Sequence, residues 1–402
     1  MLPVPEAIRL VLEHTPRLPP EHVALAAARG RVLAEDVTAD TDLPPFDRAL
    51  MDGYAVRAAD TADAPVRLRL VGEAAAGRGW AGRMGAGEAV RIMTGAPVPA
   101  GADSVQQVEL TRELEGGAAV ELDKATQPGQ FISRRATEIE RGATVLRAGT
   151  TLNAATLAAL AAFGQARVLV GARPRVCVLA TGTELVAVEA QPGPDQIRDS
   201  NSYSLRAYAE AAGATVELLP FASDDAALLA RLVGEAAARA DVLVLSGGVS
   251  MGVYDFTKAA LAALGAQVFF ERVALRPGKP TVFARLGRTL VFGLPGNPVS
   301  VSVTFNLFAR AALRALQGAR EPALAEEQAV LGRAVKGAAE RASYLPARLR
   351  TDEAGRLVAE PLRWGGSSDF VAFTQATALV IVAAGTHALD AGAPVRVVRL
   401  PE

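Results

Sequence analysis

The sequence predicts a multidomain α/β protein: a central α/β domain on a parallel-rich sheet, a β-rich region before it, and a small β domain at the C-terminal end. Three observations carry this expectation. Between about 171 and 319, strand-like apolar runs at 176–180, 216–219, 242–245, 268–270 and 290–293 alternate with helical segments at 204–212, 225–240, 255–264 and from about 298. That alternation implies a parallel sheet covered by helices on both faces. From about 40 to 136 short apolar runs are instead broken by Gly and Pro, the texture of β structure rich in turns. Finally, 402 residues exceed one domain at roughly 100–200 residues each.

The remaining elements follow from periodicity. Ala7, Ile8, Val11 and Leu12 recur at helical spacing, predicting a helix over 5–13 that ends at the prolines from Pro16. A second helix is expected over 21–36, running into a turn at Arg29-Gly30. An Ala-rich helix is expected over 151–163, ended by Gly164. The stretch 320–402 returns to short β runs such as Leu379-Val-Ile-Val-Ala and reads as a small barrel or sandwich. No internal repeat is visible.

Composition excludes several function classes. Half of the residues are hydrophobic and 21% are charged, enough for packed cores. A net charge of −1 provides no global field for nucleic acid. Cys177 is the only cysteine, so neither a disulfide nor a cysteine metal site can form within the chain. It lies in Arg175-Val-Cys-Val-Leu, which reads as a buried strand with a core thiol. His14, His22 and His387 form no zinc pattern, and no Gly-x-Ser-x-Gly elbow occurs. Glu6 and Arg9 interrupt the region where a signal peptide needs apolar residues. The apolar run 154–163 is too short to span a bilayer, which takes about 20 residues. A soluble, cytoplasmic protein is expected.

In a parallel α/β sheet, ligands bind beyond the carboxyl ends of the strands. Three such ends carry polar, glycine-containing turns: Thr181-Gly182-Thr183-Glu184, Ser246-Gly247-Gly248-Val249-Ser250 and Leu294-Pro295-Gly296-Asn297-Pro298. Glycines allow backbone N–H groups to approach an anion, and Asn297-Pro298 reads as an N-cap followed by the first helical residue. Acidic residues gather on the same edge: Glu184, Asp199 in Asp199-Ser200-Asn201, and Asp255 in Asp255-Phe-Thr-Lys258. Asp199 and Asp255 also occupy N-cap positions, so capping and Mg²⁺ ligation both remain open for them. The chain has only four lysines, Lys124, Lys258, Lys279 and Lys336. Lys258 and the proline-flanked Arg276-Pro-Gly-Lys279-Pro are read as binding oxyanion groups.

Taken together, Met51-Asp52-Gly-Tyr-Ala-Val, Arg91-Ile-Met-Thr94-Gly-Ala-Pro-Val-Pro, Ser246-Gly-Gly-Val-Ser with Asp255-Phe-Thr-Lys258, Arg276-Pro-Gly-Lys-Pro and Gly293-Leu-Pro-Gly-Asn-Pro-Val-Ser resemble the signature set of the molybdopterin molybdenumtransferases, the family of MoeA and the gephyrin E domain. The resemblance implies four regions: a discontinuous N-terminal domain of 1–40 and 137–170, a β-rich domain 41–136, a molybdopterin-binding α/β domain 171–319, and a C-terminal β-barrel-like domain 320–402. It also implies a homodimer whose active cleft is shared between subunits. Glu184, Asp199, Asp255 and the partner subunit's Asp52 would hold Mg²⁺ and pyrophosphate. Thr94, Thr181, Gly182, Asn201, Ser246, Gly247, Gly248, Lys258 and Pro298 would line the pterin and nucleotide cleft. Arg276 and Lys279 would bind molybdate, helped by Arg341 and Ser367. Three departures stand out: Arg134-Arg135 is followed by Ala136-Thr137-Glu138 where the family has Gly-Glu-Asp, Thr183 replaces Asp, and Arg276 replaces Lys.

The implied reaction inserts molybdate into adenylylated molybdopterin with release of AMP. Asp255, Lys279, Asp52 and Glu184 are the expected catalytic groups, and positioning and electrostatics supply the rate. A molybdopterin adenylyltransferase would resemble region 171–319 alone, and could also be the partner acting upstream. A non-catalytic cofactor-binding scaffold is the reading from a different class.

Overall fold

The computed structural model describes residues 1–222, 225–248 and 256–401. The chain divides into two compact units: Met1–Glu35 with Ala148–Leu157 and Arg167–Glu402, and Asp36–Arg147 with Ala158–Ala166.

The first unit is built on a six-stranded sheet in the order Thr215–Leu218, Arg175–Ala180, Val242–Ser246, Thr289–Leu294, Val282–Leu286, Gln267–Phe270. The first four strands are mutually parallel, and the last two run antiparallel to their neighbours. The sheet is thus parallel-rich, as expected, with the antiparallel pairings confined to the edge beyond Thr289–Leu294. The strand Val282–Leu286 has no counterpart among the expected runs, because only Gly287-Arg288 separates it from the next strand.

Both faces of the sheet are covered, as strand–helix alternation requires. Val176, Val178, Val242, Val244, Leu290 and Phe292 pack on one face with the helices Val4–Glu13, Asn201–Ala211 and the segment from Pro298. The alternate residues Cys177, Leu179, Leu243, Leu245 and Val291 pack on the other with Ala226–Ala237 and Phe256–Ala263. This period-2 division is what a strand buried on both sides must show. A helix long and apolar enough to cross a bilayer occurs at Pro298–Leu316, rather than at 154–163. It is 83% buried within the protein and is a core helix.

One expected element is replaced. The helix expected over 21–36 is instead a strand, Pro20–Ala24, followed by a single 3₁₀ turn, Leu25–Ala27. The strand pairs antiparallel with Arg167–Gly171, so tertiary pairing overrides the helix propensity of the Ala-rich sequence.

The C-terminal strands settle the choice between barrel and sandwich. Ala342–Thr351 pairs with Leu357–Pro361, which pairs with Glu326–Leu331, then Pro394–Arg399, then Ala378–Val382 and back to Ala342–Thr351. Closure removes free edges, and Leu331, Ala347, Val380, Val382 and Val397 fill the interior. The short strand Leu275–Arg276 joins this barrel in parallel, placing Leu275 opposite Ala342 and Arg276 opposite Ser343.

The second unit carries another six-stranded sheet, ordered Ser104–Gln107, Gly53–Val56, Glu88–Ile92, Val66–Ala74, Ala119–Leu122, Thr111–Leu114. Gly53 pairs opposite Ile92, which brings Asp52 and Thr94 to the same end of two adjacent antiparallel strands.

Candidate active site

The register of the parallel strands aligns Ala180 with Ser246 and Ser246 with Leu294, so the three polar turns leave the sheet side by side. Asn201 fastens two of them. Its Nδ2 donates to Ser246 Oγ at 2.9 Å and to Gly296 O at 2.7 Å. The turns border a hollow of about 1060 Å³ that is also lined by Glu184, Asp199 and Pro298. Asp199 is 8% exposed, and its Oδ1 accepts the Ser202 N–H at 3.1 Å. The N-cap position itself falls to Ser200, one residue later than expected, and Asp199 bonds the first turn from outside it. Glu184 is exposed at the rim.

Gly247 and Gly248 have φ of +93° and +62°, and a Cβ on either would stand 2.9 Å from Thr181 Oγ1. Only glycine fits here without strain. Their purpose is close packing of turn on turn more than exposure of donors. The N–H groups of Thr181, Gly182 and Gly247 donate to Ser246 O, Ala222 O and Leu294 O, so these three amides do not face an anion as the sequence suggested.

A second hollow of about 690 Å³ adjoins the first, and Pro280, Pro295 and Asn297 border both. Arg276, Lys279, Arg341 and Ser367 line it, bringing together every residue that the resemblance assigned to molybdate. Asn297 occupies the N-cap position before Pro298, but its side chain makes no capping bond. Its Nδ2 donates instead to Ser367 Oγ at 2.8 Å, and Val299 N–H donates to Ser367 O at 3.0 Å. These bonds fix the 365–370 segment against the helix start. Sequence reasoning missed Arg333, Lys336 and Trp364 in the lining. The scarcity of lysine was the only signal pointing to Lys336.

The other expected residues lie elsewhere. Asp52 Oδ1 accepts the N–H and hydroxyl of Thr94, in the second unit. Lys258 forms an ion pair with Glu271 at 3.1 Å and does not line either hollow. Asp255 lies outside the described residues. Glu138 meets Arg48 at 2.8 Å, and Ala136 adopts φ +63°, the conformation that the family's glycine would take without strain. Cys177 is a core thiol: burial, then the charge of Glu217, pushes it up to about 11.

Among the described residues, no group of three or more His, Cys, Asp or Glu side chains converges as a metal site. Glu184 and Asp199 supply two carboxylates to the larger hollow, the donor set that suits Mg²⁺ when substrate phosphates complete the shell.

Comparison with known proteins decides the family. The MoeA N-terminal region (domain I and II) matches residues 2–164, the probable molybdopterin binding domain 177–315, and the MoeA C-terminal region (domain IV) 328–400. A molybdopterin molybdenumtransferase from Bacillus subtilis (strain 168) is 38% identical over 407 residues, covering 100% of this chain and 94% of the relative. The chain belongs to the molybdopterin molybdenumtransferases. A molybdopterin molybdenumtransferase from Staphylococcus aureus (strain COL) is 33% identical and covers 99% of this chain and 95% of its own. The crystal structure of a molybdopterin biosynthesis moeA protein from Pyrococcus horikoshii OT3 superposes with a TM-score of 0.85 over 100% of both chains, at 27% identity. The molybdenumtransferase assignment makes the protein a transferase of molybdenum cofactor biosynthesis. Matches on both sides of the molybdopterin-binding domain leave no room for a stand-alone adenylyltransferase of that domain alone.

Proposed function

We propose that the protein inserts molybdate into adenylylated molybdopterin and releases AMP. The observation carrying this reading is the pair of adjoining hollows, one bearing carboxylates and tight polar turns, the other cationic, with Asn297 between them. The adenylylated pterin occupies the first and molybdate the second. Arg276, Lys279, Arg341 and Ser367 hold the oxyanion by charge-assisted hydrogen bonds. Asn201 and Asn297 keep the walls of the two hollows in place.

Glu184 and Asp199 are the residues that would hold Mg²⁺, with Asp255 and the partner subunit's Asp52 assigned by the family pattern. An ion held there would supply charge neutralisation for the phosphates and polarisation of the pyrophosphate. Two dithiolene thiols displace one molybdate oxygen, which leaves with both thiol protons as water. Hydrolysis of the pyrophosphate consumes one water and yields AMP. No protein nucleophile is needed. The cytoplasmic homodimer and the four-region division of the chain belong to the same reading.

Purified protein incubated with adenylylated molybdopterin is expected to release AMP only when molybdate is supplied. Formation of adenylylated pterin from ATP, or no AMP at any molybdate concentration, rejects the proposal.

A further inference from the structure

The smaller hollow carries more positive charge than one oxyanion offsets. Arg276, Lys279, Arg333, Lys336 and Arg341 line it, and among the described residues no Asp or Glu does. Among the described residues none of these five forms an ion pair. Arg333 Nε is buried without a hydrogen-bond partner. The carboxylate packed against Gly332, Glu360, is engaged by Arg350 through Nε and Nη2 at 3.1 and 2.7 Å. Buried guanidinium N–H groups left without an acceptor are unfavourable, so this arrangement is suited to an arriving anion.

The five cations fall into two ranks. Arg276 and Arg341 are set by the parallel pairing of Leu275–Arg276 with Ala342–Thr351, and Lys279 follows in the same proline-flanked segment. Arg333 and Lys336 belong to a separate element, the strand Val335–Lys336 and the turn before it, which pairs with Ala388–Leu389. Arg276 reaches across to Gly337 O at 3.5 Å. A tetrahedral dianion on the first rank leaves three positive charges and most of the 690 Å³ unfilled.

We infer that Arg333 and Lys336 form a second oxyanion position, suited to a dianionic phosphate monoester, that is occupied together with the tetrahedral oxyanion on the first rank. The inference rests on the proposed reading of the first rank as the molybdate site. The forked guanidinium supplies directed donors and the exposed ammonium a compact charge, a pairing that fits a phosphate terminus. In the proposed reaction this position would take the phosphate that the pterin retains after AMP has left.

The test is calorimetric titration of the full-length protein with molybdate, with inorganic phosphate, and with each in the presence of the other. Phosphate is expected to bind with molybdate already present. Arg333→Ala and, separately, Lys336→Ala should each weaken phosphate about tenfold while leaving molybdate affinity unchanged. Arg333→Lys, which keeps the charge and removes the fork, should recover only part of the loss. Lys336 is exposed, so its variant reads the site even if Arg333→Ala unfolds. One-for-one competition between the two anions overturns the inference, as does equal weakening of both or no effect on phosphate. These titrations need no turnover, so failure of AMP release would reject the proposed reaction without touching this result.

Discussion

Thr94 gives both its backbone N–H and its hydroxyl to a single oxygen of Asp52, at 2.6 and 2.7 Å. Two motifs separated by 42 positions thus form one unit. The backbone bond first, and the hydroxyl bond second, hold the Asp52 carboxyl below the usual carboxylate range. Asp52 consequently stays ionised to lower pH than a free aspartate. Thr94→Val keeps the stronger bond and removes the other, so the Asp52 pKa should rise toward its ordinary value. An NMR titration of the carboxyl carbon checks this, and the acid limb of AMP release should move to higher pH in step. An unchanged carboxyl titration would disconnect the hydroxyl from Asp52.

Asn201 joins two turns through one amide nitrogen. Asn201→Asp replaces that donor with a carboxylate facing Gly296 O and Ser246 Oγ. The Ser246 hydroxyl can turn to donate to the carboxylate, but Gly296 O cannot, and loss of that bond should destabilise the protein by about 1–3 kcal/mol. The same change should raise the concentration of adenylylated pterin needed for half-maximal AMP release. Thermal unfolding and steady-state kinetics measure the two effects, and a variant with wild-type melting and kinetics would contradict the bridging role.

Glu184→Gln preserves shape and removes a charge from the rim of the larger hollow. If Glu184 helps to hold Mg²⁺, AMP release should fall about 10–100-fold and recover partly as Mg²⁺ is raised. A loss that does not respond to Mg²⁺ would point to a role other than metal binding.

Ala136 adopts φ +63°, where a Cβ is disfavoured. Ala136→Gly should relieve that strain, partly offset by the greater freedom of glycine in the unfolded chain. The expected net gain is about 0.5–1 kcal/mol in urea unfolding, with activity unchanged or improved. Destabilisation would mean that the left-handed backbone at this residue is not a strained one.

The larger hollow was readable in the sequence because parallel strands must deliver their carboxyl ends to one edge. Thr181, Ser246 and Asn297 could therefore be grouped without coordinates. What their backbone amides do could not be read, since Gly247 N–H reaches Leu294 O, which is 47 residues away in a neighbouring strand. Asn201 was visible as a residue at a helix start, but its bond to Gly296 depends on how that helix packs. Arg333 and Lys336 carry no local motif. They reach the cationic hollow only because the barrel closes and brings a distant strand toward the 276–280 segment. The misread stretch 21–36 failed for a related reason: its partner strand, Arg167–Gly171, comes more than a hundred residues later.

Asn297 and its two proline neighbours act as a party wall between the hollows. A guest that steadied this wall from one side would prepare it for the occupant on the other. Thermodynamic reciprocity then demands that AMP tighten molybdate by the same factor as molybdate tightens AMP. Cutting the Asn297–Ser367 tie should shrink that shared factor toward unity before it abolishes either binding event.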